Sequence, residues 1–249
     1  LVTLLLVARI SAELRRRFRP PRAEPPEVER TEAFEWVDLV APVLLVTLPE
    51  FVVWGSSGLE TGVAVAVGLG AVLAWLRGKI GLAAGLAGLA GLTRPDALGW
   101  IAAFGLGWLA VAGARRRAEK DELALGELPW RRIGIALAIF CALVFGRLGF
   151  RLAYYGELVP NTWAVKQHGA LLRDLWGVPY LEFWIDRIGL AVALPLIVLL
   201  RPRHSLLLAP IGFVVAYAWS VGGDFMAYSR FLLPATVLGA LLIGWLLAE

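Results

Sequence analysis

Cysteine, methionine and histidine are nearly missing from these 249 residues, which hold one Cys, one Met and two His. The lone thiol, Cys141, has no partner for a disulfide within the chain, so thiols do not reveal the compartment. His168 and His204 stand in separate segments, and neither has the second His or Cys close by that a zinc site needs. His168 reads as a polar interfacial residue. No Walker, Rossmann or zinc-protease spacing occurs. Charge is scarce as well: charged residues make up 18% and hydrophobic ones 59%, with a mean hydropathy of +0.72. A soluble domain cannot bury that much apolar side chain. The opening residues show no signal-peptide order of basic, apolar and small regions.

What is present is a series of apolar runs of about 13 to 20 residues, near the ~20 that a bilayer-spanning helix needs. The expected fold is an all-α, polytopic transmembrane helix bundle of about eight full or partial spans. These are Trp36–Trp54, Val63–Leu76, Ile80–Leu92, Ala97–Ala114, Ile133–Phe150, Ile188–Leu200, Ser205–Val221 and Phe231–Leu247. Leu1–Ala8 is too short to span and reads as the tail of a truncated first helix, with residues upstream missing. The whole of 1–249 is expected to form a single transmembrane domain. Arg9–Glu35, with its arginines and prolines, reads as a loop. Pro42 and Pro49 read as kinks, and Gly81/Gly85 and Ala87/Gly91 as close-packing positions. The mixed stretch 163–186 suits an amphipathic helix lying in the headgroup layer.

If every run crosses, one face carries 17 of the 24 Lys and Arg, in the loops at 9–35, 77–79, 115–132 and 201–204. The positive-inside bias makes that face cytoplasmic. The formal charge of +4 thus reports topology rather than nucleic-acid binding. Four charged turns fall on the opposite face: Gly58–Thr61, Thr93–Asp96, Tyr154–Trp163 and Gly222–Arg230. They offer the acids Glu60, Asp96, Glu157 and Asp224, the cations Arg94, Lys166 and Arg230, and the polar groups Tyr154, Tyr155 and Asn161. Charges in so apolar a chain are costly and usually have a task. Arg94, Lys166 and Arg230 suit a phosphate-bearing lipid, through charge-assisted hydrogen bonds. A carboxylate beside them could act as a general base toward a sugar hydroxyl, and Glu60, Asp96, Tyr155 and Asn161 would contact substrate.

Four stretches carry a resemblance. They are Gly58-Leu59-Glu60-Thr61, Leu92-Thr93-Arg94-Pro95-Asp96, Tyr155-Gly156-Glu157-Leu158-Val159-Pro160-Asn161-Thr162 with Lys166, and Gly222-Gly223-Asp224-Phe225-Met226 with Arg230-Phe231-Leu232-Leu233-Pro234. In this order they resemble bacterial membrane glycosyltransferases of the GT-C class, above all the mycobacterial terminal β-(1→2)-arabinofuranosyltransferase family. The resemblance implies a polyprenyl-phosphate sugar donor, an acceptor glycan of the cell envelope, and catalysis on the outer face of the bacterial plasma membrane. It calls for no cofactor and leaves metal dependence open. That class carries an acidic pair in its first external loop, which has no counterpart here. The resemblance therefore places the principal base upstream and makes Asp224 a supporting acid or base.

Each residue also has a plainer role open to it. Arg94 and Asp96 could close a turn as a salt bridge, Glu60 could cap the next helix, Arg230 could snorkel, and Lys166 could sit on a solvated helix face. The tryptophans read mostly as belt residues. A transporter or flippase subunit is the competing class, but its charges would lie on broken helices near the midplane.

Overall fold

The computed structural model describes residues 1–18, 34–119, 130–158, 169–188, 199–224, 226 and 228–249. Among them are ten α-helices and no strand. In chain order the helices are α1 (Val2–Phe18), α2 (Val40–Thr47), α3 (Pro49–Ser56), α4 (Glu60–Leu76), α5 (Ile80–Thr93), α6 (Pro95–Glu119), α7 (Trp130–Tyr155), α8 (Gly169–Ile188), α9 (Ser205–Ser220) and α10 (Leu233–Leu247).

Among the described residues, three segments are long and apolar enough to cross a membrane: Pro95–Ala114, Arg131–Tyr155 and Arg230–Leu247. A fourth crossing is available if α2 and α3, with the turn that opens at Trp36, form one broken span bent by 78°. The chain is therefore a multi-pass membrane protein with three or four such crossings among the described residues, where about eight full or partial spans were expected. Length accounts for part of the difference. At 14 residues, α5 rises only about 21 Å, against a hydrocarbon core of ~30 Å. Pro49 accounts for another part, because it starts a new helix rather than kinking the old one. Pro42 lies inside α2 without a break. Most of the expected span at 188–200 and part of the expected helix at 163–186 lie outside the described residues.

α10 is the hub. Its span is 78% buried, against α1, α2 and α9, whereas the α7 span is 6% buried and rests on α5 alone among its main neighbours. α6 and α9 form the tightest pair and run antiparallel. They approach closely where a Cβ on Gly107 would stand 2.7 Å from the Ser205 carbonyl oxygen. Of the expected packing positions, Ala87 and Gly91 are buried, while a Cβ on Gly81 would meet nothing within 4 Å.

Part of the expected loop at 9–35 is helical, since α1 runs to Phe18. Arg, Glu, Leu and Ala are good helix formers, and cations suit a helix C-terminus. Their charges are also met: Glu13 pairs with Arg16 and Arg17, and Arg15 binds Asp38 through Nε at 3.1 Å and Nη2 at 2.7 Å. Residues 19–33 of that loop lie outside the described residues.

These contacts fix one end of the bundle. Arg17 donates to the Leu76 carbonyl, Arg77 Nε stands 3.9 Å from Glu13, and Arg203 donates to the Phe18 carbonyl at 3.2 Å. Arg203 and His204 both meet Glu249. The ends of α1, α4 and α10 and the start of α9 thus gather at an arginine-rich end, as alternation requires. The tight α6–α9 contact gives a matched test. Gly107→Ala should lower the stability of the detergent-solubilised protein by about 1–3 kcal/mol. Gly105→Ala, whose Cβ would meet nothing within 4 Å, should not. Thermal unfolding of the two variants side by side checks this.

Candidate functional site

At the other end, three turns meet: the one between α3 and α4, the one between α5 and α6, and the loop from α9 to α10. The first two place an acid in the first turn of the following helix, Glu60 on α4 and Asp96 on α6, where the helix N-terminus favours negative charge.

Arg94 stands between these turns. Its Nε and Nη2 fork onto the two oxygens of Asp96, both at 3.0 Å, and its Nη1 donates to Thr61 Oγ1 at 3.0 Å. Glu60 Oε1 lies 3.5 Å from the same Nη1. Burial works against the Arg94 charge. Asp96 and then Glu60 outweigh it, so the guanidinium pKa sits above its ordinary value. The salt bridge that closes the turn is thus present, and it joins a larger cluster.

The α9–α10 loop supplies the rest. Gly222 and Gly223 have φ of +71° and +72°, and a Cβ on Gly223 would stand 2.4 Å from the Tyr180 ring. Only glycine fits there. Farther on, Tyr228 and Ser229 have φ of +62° and +44°. Two successive side-chain-bearing residues in this region cost about 1–3 kcal/mol each and persist only when their surroundings hold them. Three contacts do so. Trp54 Nε1 donates to the Tyr228 carbonyl at 2.8 Å, the Phe231 N–H donates to the Tyr180 hydroxyl at 3.0 Å, and the Arg187 guanidinium lies 4.4 Å from the Tyr228 ring centroid. Burial pushes the Tyr180 pKa well above the usual phenol range, so its hydroxyl stays neutral.

This loop brings Arg230 onto Asp224, with Nη2 at 2.5 Å from Oδ2. The Asp224 side chain is 1% exposed. The ion pair is close, yet neither carboxylate oxygen has an aligned hydrogen bond, and Arg230 Nε is also buried without one. Arg230 does not snorkel. Its side chain is 14% exposed, it lies over the Trp54 and Phe231 rings, and Nη1 stands 3.9 Å from Glu60 Oε1. Arg94 lies over the same Phe231 ring at 5.1 Å.

Five expected site residues therefore form one cluster: Glu60, Arg94, Asp96, Asp224 and Arg230. Tyr155 does not join it. α7 continues through Tyr155 to Gly156, so the residue sits on a helix rather than in a turn, 60% exposed and in contact with Phe150, Tyr154 and Arg151. Lys166 and Asn161 lie outside the described residues, as does His168. Under the guanidiniums, Thr61, Arg94, Asp96, Trp100, Arg230 and Phe231 line a cavity of about 10 Å³, room for one water at most. Glu60 is the most exposed of the five, with a side chain 46% exposed. Among the described residues, no three His, Cys, Asp or Glu are grouped as metal ligands.

Several participants carried no clear signal in the sequence. Trp54 is a buried donor rather than a belt residue, and Trp100, Trp184 and Trp245 are buried too. Arg187 reads only as a charge on an amphipathic stretch. Glu50 is 1% exposed, 3.5 Å from Arg187 Nε, with neither oxygen hydrogen-bonded. A lone acid beside Pro49 in an apolar run was its one sign.

No protein family, curated protein or solved structure matches the chain.

The strained loop yields a direct test. Trp54→Phe removes the donor that holds the Tyr228 carbonyl and shrinks a buried ring, and should cost about 2–4 kcal/mol. Trp36→Phe, at a position 79% exposed, should cost nothing measurable in the same melting experiment.

Proposed function

We propose that the chain is a membrane glycosyltransferase of GT-C type, moving a sugar from a polyprenyl-phosphate donor to an extracytoplasmic glycan or cell-envelope acceptor. The observation that carries this reading is the convergence of three separated turns into one acid–cation cluster, at the end of the bundle opposite the arginine-rich one. The positive-inside bias turns that cluster outward in a bacterial plasma membrane.

In the proposed reaction the acceptor hydroxyl oxygen bonds to the sugar C1 as the bond from C1 to the phosphate oxygen breaks. The phosphate leaves with the electron pair, and a carboxylate takes the hydroxyl proton. Cations at the phosphate stabilise its growing charge. Arg230 is the better placed of the two arginines, because the Arg94 fork is already filled by Asp96. At 1% exposure, Asp224 fits the supporting part, setting the Arg230 guanidinium. Glu60, the more exposed acid, fits a contact with the substrate. Arabinofuranose is the sugar the four sequence stretches suggest.

One feature favours the transporter reading. Glu50 is a buried acid beside the break between α2 and α3, and broken helices with buried acids mark ion-coupled transport. Sugar transfer decides between the two. With radiolabelled polyprenyl-phosphate sugar and the full-length protein, wild type should transfer label, and Asp224→Asn should slow transfer by about 10²–10³-fold. Transfer unchanged by Asp224→Asn would remove Asp224 from the site. No transfer, with substrate flux into vesicles instead, would establish the transporter.

A further inference from the structure

Among the described residues the cluster holds more negative charge than cations: three carboxylates, Glu60, Asp96 and Asp224, face two guanidiniums. The three acids are not equivalent. Asp96 and Asp224 each sit tightly on an arginine of their own, at 3.0 Å and 2.5 Å, with side chains 14% and 1% exposed. Those two pairs are neutral and closed. Glu60 is the remainder. One of its oxygens, Oε1, stands between the two arginines, 3.5 Å from Arg94 Nη1 and 3.9 Å from Arg230 Nη1. Both separations are longer than a charge-assisted hydrogen bond, and one of the two N–H groups on Arg94 Nη1 goes to Thr61. The Glu60 side chain is 46% exposed. It follows an exposed turn, Gly55–Gly58, where Gly58 has φ +71°.

We propose that Glu60 is an exchangeable counter-anion: it occupies the gap between Arg94 and Arg230 in the empty protein and yields it to a phosphate group. The proposal rests on the glycosyltransferase reading for its substrate class and adds the way in which the phosphate is admitted. A phosphate oxygen entering between the two Nη1 atoms would meet the two nitrogens that Glu60 only loosely engages. With Glu60 in place, an anionic ligand would add to a cluster already carrying one excess negative charge. With Glu60 turned into solvent, the two closed pairs are neutral, and two guanidinium edges are bared above the shared Phe231 ring. The turn needs only a side-chain rotation, since no hydrogen bond to either arginine has to break. Asp96 and Asp224 cannot take this part, because displacing either leaves a buried guanidinium unpaired.

Binding of two probes to the full-length protein in detergent tests the proposal, by calorimetry: inorganic phosphate and dodecyl phosphate. Glu60→Gln should bind phosphate about tenfold more tightly than wild type, the scale of removing one partly screened like charge. Glu60→Asp, too short to reach both arginines, should shift in the same direction by less, and it replaces Glu60→Gln if that variant fails to fold. An equal gain for both probes assigns recognition to the phosphate group alone. A gain confined to dodecyl phosphate assigns it to a lipid headgroup. Unchanged or weaker binding in both variants, or no binding of either probe to any form, overturns the proposal. Its failure is separable from that of the glycosyltransferase reading. Tighter phosphate binding without sugar transfer keeps the exchange and removes the enzyme. Sugar transfer with weaker phosphate binding in Glu60→Gln keeps the enzyme and removes the exchange.

Discussion

A guanidinium inside an apolar helix bundle has to be met by a carboxylate, and in this protein that need ties together segments distant in sequence. Arg15 on α1 reaches Asp38 at the arginine-rich end. Arg94 holds Asp96 and Thr61, and Arg230 holds Asp224, at the other. Removing one member of such a pair strands a charge where water cannot reach it, at a cost of several kcal/mol. These pairs therefore act less as extra stability than as constraints on arrangement. α4, α6 and α10 can begin only where their acids and cations meet.

The same constraint explains the backbone of the α9–α10 loop. Bringing Arg230 onto Asp224 needs a tight reversal, and the chain makes it with Gly222 and Gly223 followed by two residues at positive φ. The strain is held from α3 through Trp54 and from α8 through Tyr180 and Arg187. A loop fixed from outside itself does not have to reorganise when charge develops nearby, which is the condition for electrostatic catalysis. In the proposed exchange the partner that moves is Glu60, the one acid of the three without a guanidinium of its own.

The charged turns were legible in the sequence because charge cannot hide in a hydropathy of +0.72. Arg94–Asp96 and Asp224–Arg230 stood out for that reason, and alternation placed them at one end. Helix limits were less legible. Pro49 breaks its segment by 78° while Pro179 and Pro210 lie inside α8 and α9, and a proline in a sequence does not tell whether neighbouring helices hold the chain straight. The basic run after Arg9 reads as loop from sequence, because Glu35 and Asp38, the acids that neutralise Arg15, are remote from it in the chain. Tyr155 reads as part of a turn from sequence, but the turn starts one residue later, at Gly156. Glu50 and Arg187 were visible as single charges. Their pairing was not, since nothing local couples position 50 to position 187.

The central claim is that the acid–cation cluster and the arginine-rich end face opposite sides of the membrane, with the cluster outward. The direct test is cysteine labelling of intact cells with a membrane-impermeant maleimide, in a Cys141→Ser background, at the exposed positions Ser57 and Arg201. The account predicts that Ser57→Cys is tagged from outside and that Arg201→Cys is tagged only after the membrane is opened. Labelling of Arg201→Cys from outside, with Ser57→Cys protected, would contradict it.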